Sequence, residues 1–166
     1  SLGEGWIALQ AAHYMRQGMG WQELERRVGG LVRDTHVMFS LDTLEYLQKG
    51  GRIGKITCLA GTMLQIKPII SFAEDGQLAS ISKVRGRRRS IDEMVQRVKA
   101  MVPTDGRPYV MATAHGDAPE DQAYLKAQIQ QEIAGAAHYY EGVIDCTLGV
   151  HTGPHLIGVG IQLLEP

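Results

Sequence analysis

Histidine and cysteine side chains offer this chain its most direct routes to chemistry, and its 166 residues include six histidines and two cysteines. Only His151 and His155 stand close together in the sequence. Gly153 and Pro154 lie between them and exclude the helix on which two histidines four positions apart would bind zinc. The chain also has no Cys-x-x-Cys pair. We therefore predict neither a metal site nor a cofactor.

Motifs for nucleophilic catalysis or phosphate binding are missing as well. Cys58 and Cys146 lie in apolar runs, which is typical of reduced, packed thiols in the cytoplasm. No Gly-x-Ser-x-Gly elbow occurs, and the stretch KGGRIGK lacks the Gly-Lys-Ser/Thr ending of a phosphate-binding loop. A small hydrolase or transferase domain that uses His151 or His115 with Cys146 or a serine stays open as an alternative.

Arg52 and His151 each stand in a glycine-containing loop beside an apolar segment, 56–64 for the arginine and 156–161 for the histidine. A guanidinium and an imidazole at the mouth of an apolar cavity would bind an amphiphile with a carboxylate head. The spacing leaves open whether the two side chains meet. The alternative is that Arg52 bonds nearby carbonyl groups and His151 caps a turn.

The basic run KVRGRRRS, residues 83–90, places five basic residues in eight positions. Arg87, Arg88 and Arg89 fall near a predicted helix N-terminus, where the helix dipole disfavours cations. We therefore interpret this run as a docking surface for an anionic partner, with a solvated turn as the alternative. The net charge of the chain is −1, which argues against a nucleic-acid partner.

The composition is that of an ordinary globular domain, with 44% hydrophobic and 21% charged residues. The length is enough for one well-buried domain. No segment reaches the roughly 18 uncharged apolar residues that span a bilayer, so we expect a soluble protein without stable membrane insertion. The chain begins with Ser-Leu-Gly-Glu-Gly and without an initiator methionine, which suggests a fragment or a processed product.

Hydrophobic periodicity divides the chain into helical and extended segments. Helices are predicted over residues 6–16, 21–33, 44–48, 56–65, 90–101 and 119–134. Strands are predicted over residues 35–41, 66–72, 78–84, 109–114, 139–146 and 156–164. Ser90 and Glu93 form a capping box, the Glu-Asp-Gly sequence at 74–76 predicts a hairpin, and Pro68 indicates an edge or end position. The pattern indicates an α+β fold, a two-layer sandwich whose mixed or mostly antiparallel sheet of about six strands has helices packed on one face.

Three longer stretches, in this order and spacing, resemble the DegV family of bacterial fatty-acid-binding proteins. They are DTLEYLQKGGRIGK, IKPIISFAEDGQLASISKVRGRRRS and GVHTGPHLIGVGI. The opening SLGEGWIALQAAHYMRQGMG is similar to the family's Ser-Met-Gly-x-Gly segment and its following helix. The resemblance therefore covers essentially all 166 residues.

The resemblance implies that residues 1–166 are a single C-terminal DegV domain, with 1–33 a helical segment near the junction with an absent N-terminal domain. It implies a non-catalytic, cytoplasmic lipid carrier. Such a carrier binds a long-chain fatty acid such as palmitate in a tunnel completed by the N-terminal domain, and it presents the acyl carboxylate to a separate fatty acid kinase.

Individual positions carry over by motif. Arg52 and His151, with Thr152, match the network around the head group. Arg85, with Arg87 and Arg88, matches the surface that docks the kinase. One position departs from the family, because His155 stands where a glycine usually follows His-Thr-Gly-Pro.

Overall fold

The computed structural model describes residues 2–59 and 66–165, and its centre is a six-stranded sheet. The strands are β1 (Thr35–Ser40), β2 (Ile66–Phe72), β3 (Leu78–Arg85), β4 (Tyr109–Gly116), β5 (His138–Val143) and β6 (Leu156–Leu163). The helices are α1 (Leu2–Arg16), α2 (Trp21–Arg33), α3 (Glu45–Lys49), α4 (Arg87–Lys99), α5 (Pro119–Glu132) and α6 (Cys146–Thr152), with a 3-10 helix over Gly54–Leu59. The sheet order is β3-β2-β1-β6-β4-β5, and β4 and β5 pair in parallel while the other pairs are antiparallel. The predicted α+β class and mixed sheet are confirmed.

The main hydrophobic core lies on one face of the sheet. Ile157, Val159 and Ile161 alternate along β6 and are buried against α4 and α5. Met94 on α4 and Leu125 on α5 are completely buried among them. Each such side chain contributes about 1.5–3 kcal/mol on burial. This core therefore holds the central strands in place behind the opposite face.

Small residues occupy the opposite face of the central strands. Gly160 on β6 leaves space for Trp6 of α1, since a Cβ there would approach the indole to 3.0 Å. Trp6 packs beside Val110 and Ala112 of β4. Helix α1 therefore covers part of this face, so the sheet has helices on both faces instead of only the one predicted.

The predicted capping box at Ser90 is wrong, because α4 begins earlier, at Arg87. Gly86, with a φ of +93°, ends β3 and turns the chain directly into the helix. Ser90 is completely buried in the first turn, where its hydroxyl donates to the Arg87 carbonyl at 2.7 Å. Glu93 instead accepts hydrogen bonds from the side chains of Ser82 and Arg97.

The strand predicted over 139–146 ends at Val143 and is followed by α6. The carboxylate of Asp145 caps this helix by accepting a hydrogen bond from the Leu148 amide at 3.1 Å. His151 and Thr152 therefore end a helix and are not part of a simple turn. Cys146 is exposed at the start of α6, so the prediction of a packed thiol is wrong for this cysteine.

Of the remaining predictions, some are confirmed and others only in part. The segment predicted as a helix over 56–65 begins as the 3-10 helix, and its residues 60–65 lie outside the described residues, as does the side chain of Cys58. The Glu-Asp-Gly hairpin joins β2 and β3 as predicted. β2 is an inner strand, and Pro68 lies just before its first pair with β1, where a missing amide breaks no ladder bond to β1.

Within the described residues, no helix has the length and apolar character to cross a membrane.

His155 has a left-handed backbone with a φ of +62°, and its side chain is exposed. Because glycine adopts this conformation without steric cost, we expect His155→Gly to raise the free energy of unfolding by up to about 1 kcal/mol. His138→Gly in β5 is the matched control. This histidine is also exposed, but its φ is not positive, so we expect a loss of about 0.5–1 kcal/mol. Urea denaturation measures both, and a destabilised His155→Gly variant would contradict the prediction.

Candidate functional site

A cavity of about 690 Å³ opens where α3 and α6 lie beside the central strands. Its volume is in the range of roughly 300–1,000 Å³ that is typical of small-molecule sites. Polar side chains in its lining come from the loop after α3, the β2–β3 hairpin and α6: Arg52, Gln77, Thr147, His151 and Thr152. The walls are mainly apolar and include Leu2, Val37, Phe39, Leu47, Phe72, Leu78, Ile144, Leu148 and Leu156. Arg52, His151 and Thr152, far apart in the sequence, are therefore brought to one cavity.

The cavity exists because the small-residue face of the sheet continues beyond α1. Gly158 of β6 and Ala114 of β4 are directly paired neighbours, and both line the cavity. Gly158 also pairs with Phe39 of β1, which contributes to the same lining. The alternation of side chains along a strand thus places the core residues of β6 on one face and an open, apolar surface on the other.

Arg52 takes its position from the way α3 ends. The Arg52 amide donates to the Leu47 carbonyl at 2.8 Å, and the Gly51 amide donates to the Gln48 carbonyl at 3.1 Å. These two bonds form a Schellman motif, which requires the left-handed φ of +66° at Gly51. The Arg52 Nη1 group donates to the Gly50 carbonyl at 2.9 Å, as the structural alternative expected. A guanidinium has five N–H donors, so this bond orients Arg52 and leaves donors for a ligand.

His151 lies in the last turn of α6 with its imidazole against Gly50. Its Nδ1 atom is buried and has no hydrogen-bond partner among the residues that the structure describes. A Cβ at Gly50 would lie 3.1 Å from Cε1 of the ring and still closer to Nδ1. Because Arg52 bonds the carbonyl of this same glycine, the guanidinium and the imidazole meet at Gly50.

Thr152 is buried beside His151, and its hydroxyl is already engaged. The Oγ1 atom donates to the Leu148 carbonyl at 3.1 Å, within α6, and lies 3.3 Å from the Gly153 carbonyl. A hydroxyl has one donor hydrogen, so this contact ties Thr152 to the helix end. The threonine lines the cavity, but a carboxylate would have to compete with a backbone carbonyl for its hydrogen.

Helices α3 and α6 pack through two contacts between a ring and a glycine. The imidazole of His151 on α6 lies against Gly50, and the phenol ring of Tyr46 on α3 lies against Gly153. At either glycine a Cβ would come closer than 3.0 Å to an atom of the facing ring. The two contacts run in opposite directions between the helices, and therefore they fix both the separation of α3 and α6 and their relative position.

The hairpin between β2 and β3 also borders the cavity. Gly54, with a φ of +55°, lies against the backbone of Leu78. Lys55 pairs with Asp75 at 2.7 Å, and this hydrogen bond lowers the pKa of the Asp75 carboxyl. The ion pair links the loop of Arg52 to the hairpin that carries Gln77.

Two polar lining residues, Gln77 and Thr147, were not predicted from the sequence. Gln77 follows the hairpin turn, and nothing in its sequence position indicates which way it faces. Thr147 could have been found, because Asp145 is a favoured N-cap residue and indicates a helix start at that point.

The basic run contains arginines with different environments. Arg87 is half-buried: its Nε atom donates to Asp121 at 2.8 Å, and its Nη2 atom donates to the His155 carbonyl at 2.6 Å. Arg88 is exposed and stacks its guanidinium 3.7 Å from the centre of the Tyr124 ring. Arg85 is exposed at the end of the edge strand β3. Arg87 therefore has a structural role, because it joins α4 to α5 and to the turn between α6 and β6.

The contacts of the histidines do not favour the hydrolase alternative. The His115 Nδ1 atom accepts a hydrogen bond from the Ala118 amide at 3.0 Å. Among the described residues, no hydrogen bond joins His115 or His151 to a serine, threonine or cysteine side chain. Cys146 and His151 are five positions apart on α6, which places them on different faces of the helix.

The cavity is largely apolar, and a guanidinium and an imidazole lie in its lining. The chain belongs to the DegV family, because residues 1–163 match the family model described as "Uncharacterised protein, DegV family". A DegV domain-containing protein of Clostridium acetobutylicum is 34% identical over 166 residues, which cover 99% of this chain and 57% of that protein.

Solved structures with the same fold include two that are reported with a fatty acid. One, reported for fatty acid binding of a DegV family protein from Thermus thermophilus, has 26% identity and a TM-score of 0.88, covering 99% of this chain and 58% of that one. The other is a DegV family protein from Ruminococcus gnavus, reported with vaccenic acid, at 25% identity and a TM-score of 0.78, covering 93% and 54%. This chain thus spans a little over half the length of the relatives it matches.

Gly54 allows a test of how the cavity is assembled. A Cβ at Gly54 would lie 2.6 Å from the Leu78 carbonyl oxygen, whereas a Cβ at Gly76 in the hairpin meets nothing within 4 Å. Both glycines have a positive φ, so Ala at either position costs about 1 kcal/mol in backbone strain. We expect Gly54→Ala to cost about 1–3 kcal/mol more than Gly76→Ala, because of the added clash. Thermal unfolding compares the two variants, and equal losses would contradict this packing.

Proposed function

We propose that this chain binds a long-chain fatty acid, such as palmitate, with the carboxylate held by Arg52 and His151. The observation that carries the proposal is the meeting of the guanidinium and the imidazole at Gly50, in the lining of an otherwise largely apolar cavity. Arg52 supplies a permanent positive charge and donors suited to a carboxylate. Thr152 lies beside them and holds the end of α6 in place.

The acyl chain would lie along the surface of Gly158, Ala114 and their apolar neighbours. These residues offer no hydrogen-bonding side chain, so they bind hydrocarbon by excluding water. The relatives described as binding fatty acids are longer than this chain, which supports a tunnel completed by a further, N-terminal domain. In this proposal residues 1–166 are the C-terminal domain, and the segment 1–33 lies near the junction.

The proposed role is that of a non-catalytic carrier in the cytoplasm. A carrier needs no base next to a nucleophile, and Arg52 supplies the donors that bind a carboxylate. A separate fatty acid kinase would then act on the carboxylate that Arg52 and His151 hold.

Removal of the Arg52 guanidinium tests the head-group contact. We expect Arg52→Ala to weaken palmitate binding to the full-length protein by about tenfold to a hundredfold, since a hydrogen bond to a charged group contributes about 1.5–3 kcal/mol. Arg26→Ala, which removes an exposed arginine of α2 outside the cavity lining, is the matched control and should have no effect. Isothermal titration calorimetry measures the affinities.

A second ligand separates the head from the tail. Hexadecanol has the same length of hydrocarbon without the carboxylate, so its affinity should be equal in the Arg52→Ala variant and the unaltered protein. An equal loss for both ligands would mean that Arg52 supports the cavity and does not bind the head group. If the full-length protein carries no fatty acid in native mass spectrometry and binds none in titration, the proposed function is wrong.

We further propose that the basic run docks the kinase, with the exposed Arg85 and Arg88 in contact with the partner and Arg87 as the residue that holds the run in place. Arg87 bonds Asp121 and the carbonyl of His155, which ties the run to the turn after α6 and hence to the head-group end of the cavity. A partner that binds this surface would therefore lie close to the carboxylate.

Charge reversal on the exposed part of the run tests the docking proposal. We expect Arg85→Glu to weaken binding to the fatty acid kinase of the same organism by about tenfold in biolayer interferometry, while palmitate loading in native mass spectrometry is unchanged. The factor corresponds to about 1.4 kcal/mol, the size expected for a charged contact. Unchanged kinase binding would contradict the docking surface and leave the fatty-acid site unaffected.

A further inference from the structure

Gly50 has a backbone conformation that does not require glycine. Its φ of −78° and ψ of −1° lie in the right-handed region open to every L-residue, unlike the φ of +66° at its neighbour Gly51. Its amide is bonded to the Tyr46 carbonyl at 2.9 Å, as in an ordinary helix end. Backbone geometry therefore explains the second glycine of the pair but not the first.

The space around Gly50 supplies the missing reason. A Cβ at this position would lie closer than 3.0 Å to Nδ1 of His151 and 3.1 Å from Cε1, while the Tyr46 carbonyl oxygen would be 3.0 Å away. Real Cβ atoms essentially never approach other atoms within 3.0 Å, so the imidazole would have to move. A shift of α6 alone cannot make room for the added methyl group. The ring of Tyr46, one turn before Gly50 on α3, packs against Gly153 and opposes that movement.

We propose that Gly50 is a positioning residue for the head-group site. The absence of a side chain lets the His151 ring rest against the end of α3, and the Gly50 carbonyl holds the Arg52 guanidinium from the other side. Gly50 does not itself touch the ligand, but it sets the distance between the Arg52 guanidinium and the His151 imidazole, which do. This inference rests on the proposed binding of a carboxylate, and it names the residue on which that binding geometry depends.

The first test is Gly50→Ala in the full-length protein. We expect about a tenfold loss of palmitate affinity by calorimetry, because the displaced imidazole no longer reaches the carboxylate. Gly149→Ala on α6 is the matched control: a Cβ there meets nothing within 4 Å, so it should leave the affinity unchanged. Unchanged affinity in Gly50→Ala would overturn the proposal.

A double-mutant cycle separates positioning from a general structural effect. His151→Ala alone should lower palmitate affinity about tenfold, and it removes the ring that a Cβ at Gly50 would strike. Adding Gly50→Ala to His151→Ala should therefore cost less than a further twofold. A second tenfold loss in the double variant would mean that Gly50 acts by another route. If Gly50→Ala alone fails to fold, the double variant should fold again, and its failure to do so would equally overturn the proposal.

The histidine ring provides a readout that does not depend on any ligand. In ¹⁵N-histidine-labelled protein, Gly50→Ala should shift the ring resonances of His151 by more than those of His115, which is bonded to the Ala118 amide elsewhere. If the unaltered protein binds no palmitate but this shift occurs, the fatty-acid function fails, while the placement of the His151 ring by Gly50 stands. If palmitate binds and the His151 resonances do not move, the positioning role fails alone.

Discussion

The contact between α3 and α6 is the constraint on which the site depends. Each helix presents one ring and one glycine to the other, with His151 against Gly50 and Tyr46 against Gly153. Neither helix is long enough to be stable by itself, with five residues in α3 and seven in α6, so packing must hold them. The same contact that stabilises these short helices brings the arginine after α3 and the histidine of α6 to one glycine, Gly50.

Strand β6 connects this contact to the rest of the domain. Its alternate residues Ile157, Val159 and Ile161 are in the main core, whereas Gly158 and Gly160 lie on the other face. Gly160 leaves space for Trp6 of α1, and Gly158 contributes to the floor of the cavity. The fold is therefore stabilised on one face of this strand, which leaves the other face open without loss of the core.

Much of the fold could be predicted from the sequence because strand alternation and helical periodicity are local properties. The hairpin at 74–76 and the helix over 21–33 are examples, since turn residues and apolar spacing specify them directly. Periodicity does not predict helix α6, because Ile144 and Cys146 continue the alternation of the preceding strand, and only the N-cap residue Asp145 indicates where the helix starts.

Some residues of the candidate site were predictable from the sequence, but its geometry was not. Arg52 and His151 could be selected by type and motif, whereas their meeting at Gly50 depends on the packing of α3 on α6, which is a tertiary property. The three glycines of the KGGRIGK stretch look alike in sequence. In the structure they serve three purposes: space for His151, a left-handed helix end, and close approach to Leu78.

A crystal structure of the full-length protein with bound palmitate tests the central claim most directly. We expect the carboxylate within hydrogen-bond distance of both the Arg52 guanidinium and the His151 imidazole, and the acyl chain running over Gly158 and Ala114. A palmitate whose carboxylate lies away from Arg52 and His151, or whose chain lies outside the cavity, would contradict the claim.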